Sequence, residues 1–473
     1  MNDIHVPYYF QSLDWKLLVE EYPPPPAFER ERGHLSDEEC SSLQESRLLS
    51  RVKDAWNVDF YRKRWQSAGL ELGDIQTIDD ITKIPTFTSD DLKKAVEDAP
   101  PFGSHHPVRR ENFGEMPLKL HTSGGTTGLP RPTLFDPLAL EVQGIQYARA
   151  LWSQGARPGD LTQIAFTNSL SNLAWGAFWG SFHWLGGVPI TTGSGVVTPS
   201  ERQLQLAREY GTDGWVMFGE YALKLAEVAE DIGFALEDLH TKFIHTYLGV
   251  DVEGNLRRLI EGAWNTKVFD NYGTNEVGLV GFECVAHKGL HINEDTAYVE
   301  IVDIDNGRTL SEGEAGNIVV TSLHRRVPPI IRFNLRDRLR FLGRNECSCG
   351  LRTGMLSSFL GRTDEMVKLR GQNVFPRACQ EVVSGDVRCT GEFLCVVSKV
   401  GEGLGLRDEM VIRVERRSAG TSGTELSEDL ERGLHRVLGV RVEVQIVEAG
   451  ELSVHTHLGG EGKVRRLLDL RPS

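Results

Sequence analysis

Between residues 118 and 340, short apolar runs alternate with stretches of helical spacing, and this alternation leaves few folds open. Leu161-Thr162-Gln163-Ile164-Ala165-Phe166 reads as a strand, and Gln203 to Ala229 as helix interrupted from Gly211 to Gly214. Inside that gap, Trp215-Val216-Met217-Phe218 reads as another buried strand. The pattern predicts an α/β layered domain with a substantially buried sheet.

At 473 residues the chain exceeds one ordinary core, so two domains are expected, one of them large. Its 40% hydrophobic and 25% charged content excludes disordered and fibrous classes. Toward the C-terminus the theme recurs on a smaller scale. Met410 to Glu415 alternates as a strand, Glu425 to Leu438 repeats Leu426, Leu430, Leu434 and Leu438 every fourth residue, and Arg441 to Val447 alternates again. A small α+β domain follows, with its boundary near Arg362-Thr363-Asp364. At the other end, Pro23-Pro24-Pro25-Pro26 is stiff and extended, and separates a short arm from the body. Leu43 to Trp65 has helical spacing, and Ser89 is the expected N-cap ahead of Leu92. The expected divisions are an arm over 1–42, a large domain over 43–363 and a small one over 364–473.

Net charge is −15, which argues against a broad nucleic-acid surface. From residue 365 onward there are 16 Lys and Arg against 17 Asp and Glu, so the C-terminal piece is better suited to approach an anionic partner. No segment reaches the ~20 apolar residues of a membrane span. The start, Met1-Asn2-Asp3-Ile4-His5, lacks a signal-peptide pattern, so a cytoplasmic location is expected by default. Seven cysteines in so long a chain are no disulfide framework.

Four segments carry chemistry. In His121-Thr122-Ser123-Gly124-Gly125-Thr126-Thr127-Gly128-Leu129-Pro130-Arg131, glycines let backbone N–H groups face an anion, hydroxyls add donors, and Arg131 adds a fixed positive charge. The Gly-Lys-Ser/Thr ending of a Walker loop is missing. Asp270-Asn271-Tyr272-Gly273-Thr274-Asn275-Glu276 offers an aromatic face, a tight turn and a carboxylate suited to Mg²⁺. Ile331-Arg332-Phe333-Asn334-Leu335-Arg336-Asp337, with Gly361-Arg362-Thr363-Asp364, supplies an acid able to accept ribose hydroxyls. Gly460-Glu461-Gly462-Lys463-Val464 places one Lys on a Gly-rich turn.

In this order the segments resemble the adenylate-forming superfamily, and within it the phenylacetate–CoA ligase family. Gly289-Leu290-His291-Ile292-Asn293-Glu294-Asp295 and the run from Gly361 to Pro376 extend the resemblance, which spans about residue 43 to the end. The resemblance implies a large domain that binds ATP and an acid, and a small mobile domain that swivels over it about Asp364. ATP and a carboxylate would give an acyl-adenylate, and a thiol of CoA or of carrier-protein phosphopantetheine would then displace AMP. By similarity Ser123, Gly124, Gly125, Thr126, Thr127, Gly128 and Arg131 would hold phosphates, with Thr126, Glu276 and Lys463 as catalytic groups and Glu276 on Mg²⁺. Tyr272 would lie by the adenine with Gly249, Asn271, Gly273, Thr274 and Asn275 near the nucleotide, while Asp337 and Arg362 would hold the ribose.

This sequence departs from the family at Arg131 for Lys, Asn275 for Thr or Ser, Leu335-Arg336-Asp337 for Thr-Gly-Asp, and Gly249-Val250-Asp251 for Gly-Gly-Glu. Members are often dimers, and no motif here demonstrates one.

Cys284-Val285-Ala286-His287 and Cys347-Ser348-Cys349 form two ligand pairs about sixty residues apart. Three thiolates and one imidazole suit tetrahedral structural zinc, as some relatives carry. His287 is preferred as fourth ligand and His291 is its rival. In relatives the acid pocket lies where Phe166, Asn168, Trp175, Phe178 and Trp179 fall here, and aromatic walls would suit a flat aryl acid. Three readings follow: an aryl- or arylacetyl-CoA ligase, an adenylating enzyme serving a carrier protein or amine, and a quiet nucleotide-binding protein. Retention of Glu276, Asp337 and Lys463 argues against the last.

Overall fold

In the computed structural model the alternation resolves into a five-stranded parallel sheet. Its spatial order is Val188–Thr191, Leu161–Ile164, Gly214–Val216, Phe243–His245, Val268–Phe269. The structure describes residues 8–123, 131–363, 366–369, 372–400, 407–418, 422–456 and 464–471. Successive strand residues face opposite sides, and the core divides accordingly. Ile164, Val216, Phe243 and Phe269 pack on one face against the buried helix Pro137–Ser153. Trp215, Ile244 and Val268 pack on the other with Ser200–Tyr210, Gly219–Asp231 and Asn255–Trp264. Coverage on both faces explains why the inner strands read as mostly apolar runs, while the edge strand Val188–Thr191 stays partly exposed. The second strand in sequence sits at the edge and the third lies across the first, so the winding reverses between Leu161–Ile164 and Gly214–Val216. Ligands of open α/β sheets bind outside the strand carboxyl ends at such a reversal.

Two larger antiparallel sheets lie beside the parallel one, together with the hairpin of Lys119–Ser123 and Arg131–Phe135. One orders Met355–Leu356, Leu290–Ile292, Gly278–Glu283 and Asn271–Thr274; the other orders Ala297–Val302, Ala315–Ser322 and Phe333–Arg340. Helices Asp37–Trp56 and Asp59–Ser67 bury Leu48, Val52, Tyr61 and Trp65 against them. The C-terminal sheet orders Glu443–Val447, Arg407–Arg416, Cys389–Val400 and Leu467–Asp469. The leucines at 426, 430, 434 and 438 are all buried against it, in a hydrophobic core of its own. Its helix Cys379–Ser384 meets the large part through Glu381, whose carboxylate accepts the Glu253 N–H at 2.7 Å. No helix among the described residues is long and apolar enough to cross a membrane.

Three local expectations are corrected. The helix expected over Leu43 to Trp65 begins earlier, where Ser36 and Glu39 form a capping box, and breaks between Trp56 and Asp59 because Val58 is extended. Thr88, not Ser89, caps the helix Ser89–Asp98, with Asp91 returning the hydrogen bond. The N-terminal arm does not stand apart from the body. Leu18 and Tyr22 pack on Val142 and Ile145, and buried Arg149 donates to the Pro23 carbonyl while lying 4.1 Å over the Phe28 ring.

Candidate active site

Ser123 and Arg131 pair across the hairpin of Lys119–Ser123 and Arg131–Phe135. Gly124, Gly125, Thr126, Thr127 and Gly128 lie outside the described residues, as do Asp364 and Lys463. Arg131, expected on the phosphates, reaches across the site instead. Its Nη2 contacts Glu276 Oε1 at 2.8 Å, Nε donates to Ser123 Oγ at 3.0 Å, and Nη1 donates to the Ser89 carbonyl at 2.9 Å. The expected phosphate cation and the expected metal carboxylate are thus one ion pair, with side chains only 16% and 6% exposed. A planar guanidinium makes these directed contacts at once, which a lysine ammonium would not.

Beside the pair, the Thr274 hydroxyl and the Asn275 Nδ2 are buried without a hydrogen-bond partner among the described residues. Asn275 Oδ1 accepts the Asn172 N–H at 3.0 Å, which turns the amide nitrogen to the unpaired side. Orphaned buried polar groups cost about 1–3 kcal/mol each and are rare, so two adjacent ones fit a ligand rich in acceptor oxygens.

Tyr272, Asp337 and Arg362 meet next to this point. The Tyr272 hydroxyl donates to Asp337 Oδ2 at 2.7 Å, and Arg362 Nη1 donates to Asp337 Oδ1 at 2.6 Å. Burial raises the Tyr272 pKa, so the phenol stays a donor. Glycine is required at 273, because a Cβ there would lie 2.3 Å from the Gly278 carbonyl oxygen. Arg336 holds φ +56, a left-handed backbone of the kind that favours the glycine expected here by resemblance, and its side chain leaves the site to reach Asp90 at 2.7 Å. Gly249 has φ +72 and open space around it.

Asn271 is placed differently from its expectation. Its Nδ2 donates to the Thr246 and Phe269 carbonyls and its Oδ1 accepts from Gln154 Nε2, so the amide ties strands together. Asp251 caps the N–H groups of Leu256 and Arg257.

Asp270, at the head of this segment, is fully buried, and burial together with Glu283 raises its pKa to about 7. The folded value lies above the unfolded value of about 4, so this carboxyl's stabilising contribution is complete below about pH 4. It is lost as pH rises through 7. Asp270→Asn keeps the Oδ1 that accepts the Leu248 and Asn271 N–H groups. The variant is expected to match the parent near pH 4 and to exceed it by about 4 kcal/mol at pH 8 in urea melts.

The cysteine pairs converge, with one correction. Ligand atoms of Cys284, Cys347, Cys349 and His291 all lie within 4.8 Å of one another. Cys284 and Cys347 sulfurs are 3.8 Å apart, and Cys349 Sγ lies 3.5 Å from His291 Nε2. The expected ligand His287 is not in this group. Its backbone sits at φ +50, its ring stacks on Phe269 at 4.9 Å, and its Nδ1 accepts from Arg257 at 2.8 Å. His291 lies on the strand Leu290–Ile292, whose pairing with Met355–Leu356 brings it beside the turn at 347–349, and Thr353 Oγ1 at 2.8 Å fixes its other nitrogen.

Of the residues expected around the acid, Trp175, Phe178 and Trp179 are half-buried on the helix Leu173–Trp179, and Phe178 stacks on the exposed Phe182. Phe166 belongs to a different group, which composition did not reveal. It meets Phe218 at 4.6 Å and Tyr247 at 6.4 Å, and Tyr247 bonds the Tyr147 hydroxyl at 2.8 Å. Phe166, Phe218 and Tyr247 follow the strands Leu161–Ile164, Gly214–Val216 and Phe243–His245, so the cluster stands at strand carboxyl ends around the reversal. Its only sequence signal was an aromatic shortly after each strand.

Residues 371–471 match the AMP-binding enzyme C-terminal domain. The chain is 28% identical to the phenylacetate-coenzyme A ligase of Aromatoleum evansii, over 92% of this chain and 96% of that protein. It is 31% identical to the phenylacetate-coenzyme A ligase of Pseudomonas putida, over 72% of this chain and 74% of that protein. Among solved structures, 2-hydroxyisobutyryl-CoA ligase in the postadenylation state with 2-HIB-AMP superposes with a TM-score of 0.82 at 25% identity, covering 95% and 94% of the two chains. The same ligase with 2-HIB-AMP and CoA in the thioesterification state gives 0.69 at 26% identity, covering 96% and 94%. With its ordered motifs, its fold and these relatives, the chain belongs to the phenylacetate–CoA ligase family of adenylate-forming enzymes.

Proposed function

We propose that this chain is an AMP-forming acid–CoA ligase acting on an aromatic carboxylic acid. The observation that carries the nucleotide half is the junction of Ser123, Arg131 and Glu276 with the orphaned Thr274 and Asn275 donors, beside Tyr272, Asp337 and Arg362. One substrate carboxylate oxygen attacks the α-phosphorus of ATP, the P–O bond to the β-phosphate breaks, and pyrophosphate leaves. The CoA thiol then attacks the acyl carbon, AMP leaves with the carboxylate oxygen, and the thiol proton is released. Both steps gather anions, so the protein's work is positioning and electrostatic stabilisation.

Ser123 to Gly128, with Thr274 and Asn275, donate to phosphate oxygens, and Tyr272 and Gly249 border the adenine. Asp337 accepts the ribose hydroxyls while Arg362 holds its orientation. Glu276 is the carboxylate available to Mg²⁺, which when bound neutralises phosphate charge; Arg131 fixes that carboxylate. Cys284, His291, Cys347 and Cys349 hold a structural zinc, for which three sulfurs and one imidazole at these separations suit a tetrahedral site. Residues 43–363 form the ATP- and acid-binding domain and 364–473 the small domain that swivels about Asp364. The separate C-terminal core and the closer match to the postadenylation state support that division.

Phe166, Phe218, Tyr247 and Tyr147 supply flat apolar walls suited to an aryl ring. The test is ATP–pyrophosphate exchange across a panel of aryl and aliphatic acids, followed by CoA-dependent AMP release with the best of them. Exchange is expected with arylacetic acids; exchange with no acid, in folded protein, overturns the proposal.

A further inference from the structure

Below the aromatic cluster, a chain of hydrogen bonds fixes the proton on one histidine. The Glu283 carbonyl accepts from Gln154 Nε2 at 3.2 Å, and a backbone carbonyl can only accept, so the amide orientation of Gln154 is determined. Asn271 agrees, since its Nδ2 donates to two carbonyls and its Oδ1 accepts from the same Gln154 nitrogen at 3.0 Å. Gln154 Oε1 therefore faces His245 Nδ1 at 2.9 Å as an acceptor, and Nδ1 must carry the hydrogen. The other ring nitrogen, Nε2, is left with a bare lone pair.

That lone pair is buried, with no partner among the described residues. Burial holds the ring neutral, its pKa lowered to about 3. The Tyr147 and Tyr247 rings stand 5.7 Å from the His245 ring, and their hydroxyls bond each other rather than the histidine. His245 closes the strand Phe243–His245, two residues before Tyr247, so the unpaired nitrogen belongs to the same strand end as the aromatic walls. More than nine in ten buried polar groups find a partner. An acceptor left bare beside a proposed ligand site points to a ligand that donates.

We infer that His245 is a specificity-determining residue whose Nε2 accepts a hydrogen bond from the end of the acid remote from the carboxylate. The inference rests on the aromatic cluster being the acid site. It gives the substrate class as an aryl acid bearing a hydrogen-bond donor, such as a phenolic hydroxyl, in preference to the unsubstituted acid or one bearing only an acceptor. A site built around a hydrogen bond rejects the analogue lacking it, because the buried group is again left unpaired.

The test is pyrophosphate exchange with phenylacetate, the three monohydroxyphenylacetates and their methyl ethers. In the unaltered protein one hydroxylated acid is expected to exceed phenylacetate in kcat/KM by about tenfold, and its methyl ether to fall below phenylacetate. In His245→Leu the ratio of hydroxylated to unsubstituted acid is expected to drop close to one. Phenylacetate equal to or better than all three hydroxylated acids overturns the inference, as does an unchanged ratio in His245→Leu. The first comparison needs no variant, so it stands if His245→Leu fails to fold. Exchange without a preference for donors sinks the inference alone; exchange with no acid sinks the proposed function as well.

Discussion

Lys463→Ala is expected to lower acid-dependent pyrophosphate exchange by about a thousandfold while slowing thioester formation from supplied acyl-adenylate by less than about tenfold. The reason is charge. Adenylation brings a carboxylate against the α-phosphate, and the charge on both must be met as the new bond forms. Arg131, the cation nearest the phosphate loop in sequence, is already paired with Glu276 and Ser123. A further cation is therefore expected at the reacting oxygens, and that role is proposed for Lys463. The chain just beyond it is firmly held. The Val464 carbonyl accepts from Arg377 at 3.2 Å, Arg465 N–H donates to the Thr456 carbonyl at 2.9 Å, and buried Arg466 pairs with Glu392 at 2.8 Å. Thioester formation starts from an adenylate already made and, on the proposed division of roles, has no need of that charge. Both half-reactions are read from one preparation, by isotope exchange and by CoA-dependent AMP release. Equal losses in the two would remove Lys463 from the adenylation step.

What the sequence disclosed follows the range of the interactions involved. The parallel sheet was legible because its inner strands are covered on both faces, so Leu161 to Phe166 and Trp215 to Phe218 read as largely apolar runs within a helical background. The helix break at Val58 was not, because the residues on either side keep helical spacing and only the backbone turns. Arg336 was legible in part: its replacement of the usual glycine marked the position, but only the structure shows the left-handed backbone and the turn toward Asp90. The Arg131–Glu276 pair joins residues 145 apart, and local pattern carries no trace of it. The same holds for most of the proposed acid site. Trp175 and Trp179 were placed as pocket walls by the family resemblance, whereas Tyr147, Phe218, and His245 with Tyr247 come from three separate elements that meet only when the sheet forms. His287 shows the limit of spacing arguments. Three residues after Cys284 is a reasonable ligand distance, but the Phe269 ring and the Arg257 guanidinium claim that imidazole. Strand pairing delivers His291 instead.

That exchange of histidines leads to an expected result with a large effect on stability. Purified protein is expected to carry about one zinc per chain, and stripping it should cost about 4 kcal/mol at a metal level a thousandfold above the dissociation constant. The cluster ties the turn at 347–349 to the sheet that its neighbouring strand Met355–Leu356 already joins. Cys284 follows the strand Gly278–Glu283, His291 lies on an inner strand of the same sheet, and Cys347 and Cys349 sit on a turn closed by the Gly350 N–H donating to the Cys347 carbonyl. Just past that turn, Leu351 packs into the core beneath the parallel sheet, and the Arg352 N–H donates to the Gly33 carbonyl of the N-terminal arm at 2.6 Å. Losing the metal leaves two sulfurs 3.8 Å apart with no shared ligand, and the turn and arm should loosen first. Chelation should therefore lower the melting temperature and expose the arm to protease before the sheet. His291→Ala and Cys347→Ser should lose the zinc, whereas His287→Ala should retain it, as read by metal analysis of gel-filtered protein. Four protein ligands leave no open coordination position, so the metal-depleted but still folded fraction should keep its pyrophosphate exchange. Retention of zinc by His291→Ala, or its loss from His287→Ala, would reverse the assignment. Exchange abolished while the protein remains folded would make the site more than structural.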